Sequence, residues 1–134
     1  RKAIQELPEK PKITRSHDIF QVMQSIIGDL NVEEFWVLFL NQGNFVVKKE
    51  LIGRGGISYV AVDVRIIMKI ALEEYATGII LAHNHPSGNL NPSRDDYRLT
   101  EKIKTAARTL DIELLDHLIL NQKSYFSFAD EGKL

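Results

Sequence analysis

The chain of 134 residues contains no cysteine, which excludes disulfide scaffolds, thiolate zinc sites and cysteine nucleophiles. No apolar run approaches the roughly 18 residues that a membrane-spanning helix needs. The sequence also has no excess of either charge. It contains 17 basic and 18 acidic residues, and its formal net charge is -1. This balance argues against a surface built mainly to grip a nucleic-acid backbone. We therefore expect a protein of a reducing, cytoplasmic compartment that has no membrane partner.

The first residues, "RKAIQELPEKPKITR", are polar and contain Pro8 and Pro11. They lack the apolar stretch of a signal peptide. We interpret residues 1–12 as a linker or the tail of an upstream region, and residues 13–134 as one domain. Hydrophobic residues make up 44% of the chain, which is enough for a domain of this length to form its own core.

Hydrophobic spacing predicts a single mixed β-sheet flanked by helices, an α/β domain with the order α-β-β-α-β-α-β-β. In the second helix the pattern places Leu72 and Tyr75 on the buried face, and Gly78 suits the position just past the helix end. In the strand "IELLDHLIL", His117 alternates with Leu115 and Ile119, which predicts a hydrogen-bonded core histidine on their face. The predicted helices cover about residues 17–28, 64–75 and 93–110, and the predicted strands cover 35–40, 45–52, 79–85, 112–120 and 125–129, with a further short strand at 57–61.

The segment "LAHNHPSGNLNPSRDD" (81–96) contains the residues of chemical interest. Side chains alternate along a strand, so His83 and His85 project from one face where Pro86 ends the strand. Asp96 follows in the first turn of the next helix. Two imidazoles and a carboxylate would leave one coordination position open for water, as in catalytic zinc sites.

Simpler interpretations of the same residues exist. A His-x-His pair alone is a weak signal, and most such pairs bind nothing. Ser93 and Asp96 also have the spacing of a helix-capping pair, and an acidic residue is stabilised near a helix N-terminus. Asp95 competes with Asp96 for the role of ligand. The spacing alone leaves these alternatives open.

The motif resembles that of the JAMM (MPN-type) metallopeptidases, His-x-His-Pro followed by Ser-x-x-Asp. The whole segment "HNHPSGNLNPSRDD" is similar to the bacterial RadC family in particular. The stretches "FWVLFLN", "KKELIGRGG" and "LLDHLIL" resemble RadC segments in the same order, so that the likeness covers about residues 13–128. The resemblance implies the JAMM/MPN fold, whose layers are like those of cytidine deaminase.

The resemblance also implies roles for individual residues. His83, His85 and Asp96 would hold Zn²⁺, and Ser93 would help to stabilise an oxyanion. A glutamate before the first core strand would be the general base. The RadC spacing places this acid two residues before Phe35 and so favours Glu33 over its neighbour Glu34.

The resemblance implies a zinc-dependent hydrolase that cleaves a peptide, isopeptide or other amide bond in a peptide or protein substrate. The alternative is a protein associated with DNA repair or recombination, in which this domain is an accessory module. DNA would then be bound through an upstream region, because the domain itself shows no basic stripe. The sequence does not indicate an oligomeric state.

Overall fold

A computed structural model of the chain describes residues 10–55 and 62–134. Three helices and five strands follow the predicted order α-β-β-α-β-α-β-β. The predicted short strand at 57–61 lies outside the described residues. None of the helices in the described ranges is long and apolar enough to cross a membrane. The elements are α1 Ser16–Ile27, β1 Glu34–Leu40, β2 Val46–Arg54, α2 Val64–Glu73, β3 Gly78–Asn84, α3 Arg94–Thr109, β4 Glu113–Leu120 and β5 Tyr125–Ser127.

The five strands form one mixed sheet in the order β2-β1-β3-β4-β5. Strands β3 and β4 are parallel, and the other neighbours are antiparallel. Helix α3 connects the two parallel strands, as a parallel pair requires. All residues of β3 are buried, as expected for a central strand that is covered on both faces.

The core has two halves, one on each face of the sheet. Helices α2 and α3 cover one face, where the largest buried side chains include Phe35, Phe39 and Ile67. Helix α1 covers the other face and packs Met23 and Ile27 against the sheet. The sheet is therefore the middle layer of three, and the predicted fold class is confirmed.

A β-bulge in β4 changes the face on which His117 lies. Ile79 pairs with Leu114 and Ile80 pairs with Asp116, so that Leu115 is an extra residue. Leu115 packs with the half of the core next to α1, whereas His117 points to α3, where it contacts Thr100. The prediction of a buried, hydrogen-bonded histidine is confirmed, but the prediction that it shares a face with Leu115 is wrong.

The end of α2 also differs from the prediction. Tyr75, not Gly78, occupies the left-handed conformation after the helix, with φ +52°. The Ala76 N–H donates to the Ala71 carbonyl at 2.9 Å, which is the closing bond of a Schellman motif. Tyr75 is therefore 88% exposed, and Leu72 is 54% exposed. Gly78 instead begins β3, where a Cβ atom would lie 2.8 Å from a methyl group of Leu115.

A buried carboxylate attaches the end of the chain to the sheet. Asp116 in β4 accepts hydrogen bonds from the backbone N–H of His117 (2.7 Å), the backbone N–H of Ala129 (3.0 Å) and the hydroxyl of Ser127 (2.6 Å). Burial raises the pKa of the Asp116 carboxyl. The three donors explain why a charged residue type is tolerated at this position.

We predict that Asp116→Ala lowers the free energy of unfolding by about 2–4 kcal/mol, because it leaves several buried donors without an acceptor. Asp116→Asn should cost less than about 1 kcal/mol, since a neutral amide oxygen can accept the same backbone bonds. Urea denaturation measures both values. Glu113→Ala is the matched control, because Glu113 is exposed at the start of the same strand. Equal stability of the alanine and asparagine variants would contradict this account.

Candidate metal centre

The candidate site lies at the edge of the sheet where the parallel strands β3 and β4 end. Strand β1 begins at the same edge, because Phe35 pairs with His83 in the antiparallel register. Helix α3 starts there as well, after the loop that follows β3. The carboxyl ends of parallel strands are the usual location of binding sites in α/β sheets. Residues from three elements therefore converge on this edge.

The structure brings the three predicted ligands together. The Nε2 atoms of His83 and His85 are 3.1 Å apart. Oδ1 of Asp96 lies 3.4 Å from Nε2 of His83, and Oδ2 lies 3.6 Å from Nε2 of His85. In the described part of the chain, these three residues form the one group of His, Asp and Glu side chains whose spacing suits a metal ion. Asp95, the competing candidate, is not in this group.

These distances suit a tetrahedral ion. Zinc bonds of about 2.0–2.1 Å to nitrogen and oxygen separate neighbouring ligand atoms by about 3.3–3.4 Å. The observed separations of 3.1, 3.4 and 3.6 Å lie close to that value. Two imidazoles and one carboxylate are also a donor set that zinc accepts, with a fourth position left for water or substrate. The residues present therefore fit a zinc ion.

The charges at the site also favour a cation. Burial alone would raise the pKa of the Asp96 carboxyl, but the neighbouring imidazoles of His83 and His85 outweigh it and hold this pKa far below its usual range. The hydrogen bond with Asp96 raises the pKa of His85, and the charge of Glu33 acts in the same direction. The ionised form of Asp96, which is the form that binds a cation, is thus favoured at this position.

The neighbouring glutamates differ in their surroundings. Glu34 is buried, and its carboxylate accepts a hydrogen bond from the indole N–H of Trp36 (2.9 Å) and pairs with Arg54 (3.3 Å). Glu33 is half-buried and lines a cleft together with His85 and Ser93. Glu33 is therefore the glutamate that shares a cleft with His85, whereas the carboxylate of Glu34 binds Trp36 and Arg54.

Sequence reasoning did not assign a role to Asn84, the middle residue of the His-x-His pair. Alternation along β3 directs its side chain to the opposite face from the histidines. There the amide donates to the carbonyl of Val32 (2.9 Å) and accepts from the backbone N–H of Glu34 (2.7 Å). Asn84 thus holds the backbone on both sides of Glu33. The sequence did contain a signal for this role. Asn84 is an amide in an otherwise apolar strand, and a buried amide needs polar partners.

Ser93 caps helix α3. Its hydroxyl oxygen accepts the Asp96 N–H (3.1 Å), and Oδ2 of Asp96 accepts the Ser93 N–H (2.8 Å), which together form a capping box. The Ser93 hydroxyl acts only as an acceptor in this motif, so its own proton is available for another partner. The capping interpretation of these two residues is confirmed, and it is compatible with a role in the cleft.

Comparison with known proteins places these residues in a family context. A family model described as RadC-like JAB domain matches residues 13–133. The UPF0758 protein of Flavobacterium johnsoniae is 53% identical over 132 residues, which are 98% of this chain and 58% of that protein. The UPF0758 protein of Porphyromonas gingivalis is 46% identical over 97% of this chain and 58% of its own length. The UPF0758 protein SH1266 of Staphylococcus haemolyticus is 39% identical over 92% of this chain and 54% of its own length. The chain thus spans less than two thirds of these relatives.

We predict that the purified chain binds about one zinc ion, because three ligand atoms already lie at tetrahedral separations. His83→Ala, His85→Ala and Asp96→Asn should each abolish stoichiometric binding. Asp95→Asn is the matched control and should bind normally. Elemental analysis after dialysis against zinc gives the stoichiometry. The assignment of Asp96 would be wrong if Asp95→Asn lost the metal and Asp96→Asn retained it.

Proposed function

The chain belongs to the RadC-like JAB domain family, and from that premise we propose that it is a zinc-dependent hydrolase that cleaves an amide bond. The observation that supports this most is the position of Glu33. Its side chain lines the same cleft as His85 and Ser93, next to the cluster of His83, His85 and Asp96. A base beside an incomplete set of metal ligands is the arrangement that hydrolysis with an activated water needs.

Each residue contributes one part of the reaction. Zinc, when held by His83, His85 and Asp96, polarises a carbonyl and makes water a better nucleophile near neutral pH. Glu33 accepts the proton of the attacking water and later gives it to the leaving nitrogen, so the base ends each cycle ionised. Asn84 and the Gly55 N–H, which donates to the Glu33 carbonyl at 2.9 Å, hold the backbone of Glu33 in place.

Ser93 would act on the carbonyl oxygen of the substrate. Its hydroxyl proton is not used by the capping box, and its side chain is exposed in the cleft. A hydroxyl that donates to the developing oxyanion lowers the barrier of an acyl-transfer reaction. The helix N-terminus behind Ser93 adds a favourable dipole for negative charge.

The shape and chemistry of the cleft support a choice of substrate class. The cleft is open along residues 31–33 and the loop 85–93, so a polypeptide segment can enter it without displacing the core. Both sides offer polar groups, Asn31 on the first side and Asn89 and Asn91 on the second, which can bond to a peptide main chain. We therefore favour a peptide or isopeptide bond of a protein substrate.

A screen of peptide, isopeptide and simple amide substrates tests this function. We expect the zinc-loaded chain to hydrolyse at least one amide substrate, to lose this activity with a chelator, and to regain it when zinc is restored. Metal analysis of chelator-free protein accompanies the screen. Failure of the chain to bind zinc would overturn the proposal, and so would selective binding of iron, which also uses two histidines and a carboxylate.

We predict that Glu33→Gln lowers hydrolysis by roughly 10²-fold or more while zinc stays bound, because glutamine keeps the shape but cannot accept the proton. Glu34→Gln is the matched control. Its oxygen can still accept the Trp36 hydrogen bond, so activity should change only a few-fold. Rates on the substrate found in the screen and zinc content measure the two effects. A large loss in Glu34→Gln together with normal activity of Glu33→Gln would reverse the assignment.

A further inference from the structure

His117 is a buried histidine that the proposed reaction does not use. It lies on β4 with no exposed surface. Its Nε2 atom is 2.9 Å from Nδ1 of His83, and its Nδ1 atom is 2.6 Å from the hydroxyl oxygen of Thr100. Its ring stacks on Phe128, with 4.6 Å between centroids and 11° between planes. His117 therefore joins one of the proposed ligands to helix α3.

His83, His117 and Thr100 form a series of hydrogen bonds that ends at the backbone carbonyl of Asp96. The donor and acceptor of each bond can be assigned by starting from that carbonyl. The Thr100 hydroxyl lies 2.6 Å from the backbone carbonyl of Asp96, and a carbonyl can only accept. The Thr100 hydroxyl therefore donates its proton to the Asp96 carbonyl and accepts a hydrogen bond from His117. His117 must then carry a proton on Nδ1. A fully buried imidazole without a carboxylate partner is neutral, because an unpaired charge is costly there. His117 Nε2 is then an acceptor.

The same reasoning continues to His83. His117 Nε2 accepts, so the proton shared with His83 belongs to His83 Nδ1. A neutral His83 then has its lone pair on Nε2, the atom that faces His85 and Asp96. A histidine that binds a metal must present this lone pair, and the bond made by its other nitrogen decides which tautomer forms.

We propose that Thr100 and His117 are positioning residues that fix His83 in the tautomer with a free Nε2 lone pair. The proposal rests on the hydrolase function proposed above, because it concerns the affinity of the same site for zinc. The chain of bonds begins at the backbone of Asp96 and ends at His83, so it also holds two ligands from different elements together before a metal arrives. His85 has a weaker support, the carbonyl of Asn89 in an exposed loop.

Thr100 offers the cleanest test, because valine has nearly the same shape and serine keeps the hydroxyl. In Thr100→Val the Nδ1 proton of His117 loses its acceptor. The opposite tautomer of His117 then becomes favourable and donates to His83, which moves the His83 proton to Nε2. We expect zinc affinity to fall 10–100-fold in Thr100→Val and to stay within about threefold in Thr100→Ser. Competition with a chromophoric chelator measures both affinities on the purified chain.

A second readout separates this role from a general loss of packing. The chain contains four histidines, so long-range ¹H–¹⁵N spectra of the imidazoles can be assigned to single residues. Metal-free wild-type protein and Thr100→Ser should show His83 protonated at Nδ1, whereas Thr100→Val should show protonation at Nε2. A wild-type spectrum with the His83 proton on Nε2, or equal zinc affinity of the valine and serine variants, would overturn the proposal.

Two variants of His117, His117→Gln and His117→Leu, test the proposal independently of the Thr100 variants. Glutamine can accept from His83 and donate to Thr100, whereas leucine can do neither. His117→Gln should therefore retain most of the zinc affinity that His117→Leu loses. If the unchanged chain bound no zinc, the hydrolase proposal would fail. The spectra of metal-free protein would then decide the tautomer: a shift of the His83 proton in Thr100→Val would support the positioning role, and an unchanged spectrum would refute it.

Discussion

Side-chain alternation along β3 is the constraint on which the rest of the candidate site depends. Strand β3 is the middle strand and is buried on both faces, so each polar side chain at its end must find partners on its own side. His83 turns to the face covered by α3 and meets His117 and Asp96. Asn84 turns to the other face and holds the segment that contains Glu33. One strand thus places a proposed ligand and supports the proposed base.

Complete hydrogen bonding allows the domain to tolerate so many polar groups in its interior. His83, His117, Thr100 and Asp116 are all buried, and in the described part of the chain no buried side-chain nitrogen or oxygen lacks a partner. A satisfied network is rigid, because each bond that breaks leaves a buried group without a partner. Rigidity of this kind suits a site whose ligands must stand at fixed separations before the metal binds.

The sequence was sufficient to predict the element order, because this order depends on local patterns. Periodicity identified the helices and strands, whereas the spacing of His83, His85 and Asp96 left several interpretations open and the resemblance to the RadC family favoured the metal site. The errors arose where tertiary contacts decide. The bulge at Leu115 reverses the face of His117. Gly78 pairs within β3, and Tyr75 takes the left-handed conformation that follows α2. The partners of Asn84 are separated from it by about fifty positions in the chain, so no local pattern could reveal them.

The two interpretations of Ser93 and Asp96, as a helix cap and as parts of a reactive site, describe one arrangement. The capping box uses Oδ2 of Asp96 and the acceptor capacity of Ser93. In this arrangement Oδ1 of Asp96 still faces His83. The hydroxyl proton of Ser93 is not used by the capping box and can be donated to a group in the cleft. The cap thereby fixes the Asp96 carboxylate in one orientation, and Thr100 one turn later bonds to the backbone of the same residue. A residue that begins a helix is held more firmly than a residue in a loop. The candidate site thus contains a carboxylate whose orientation the start of α3 fixes.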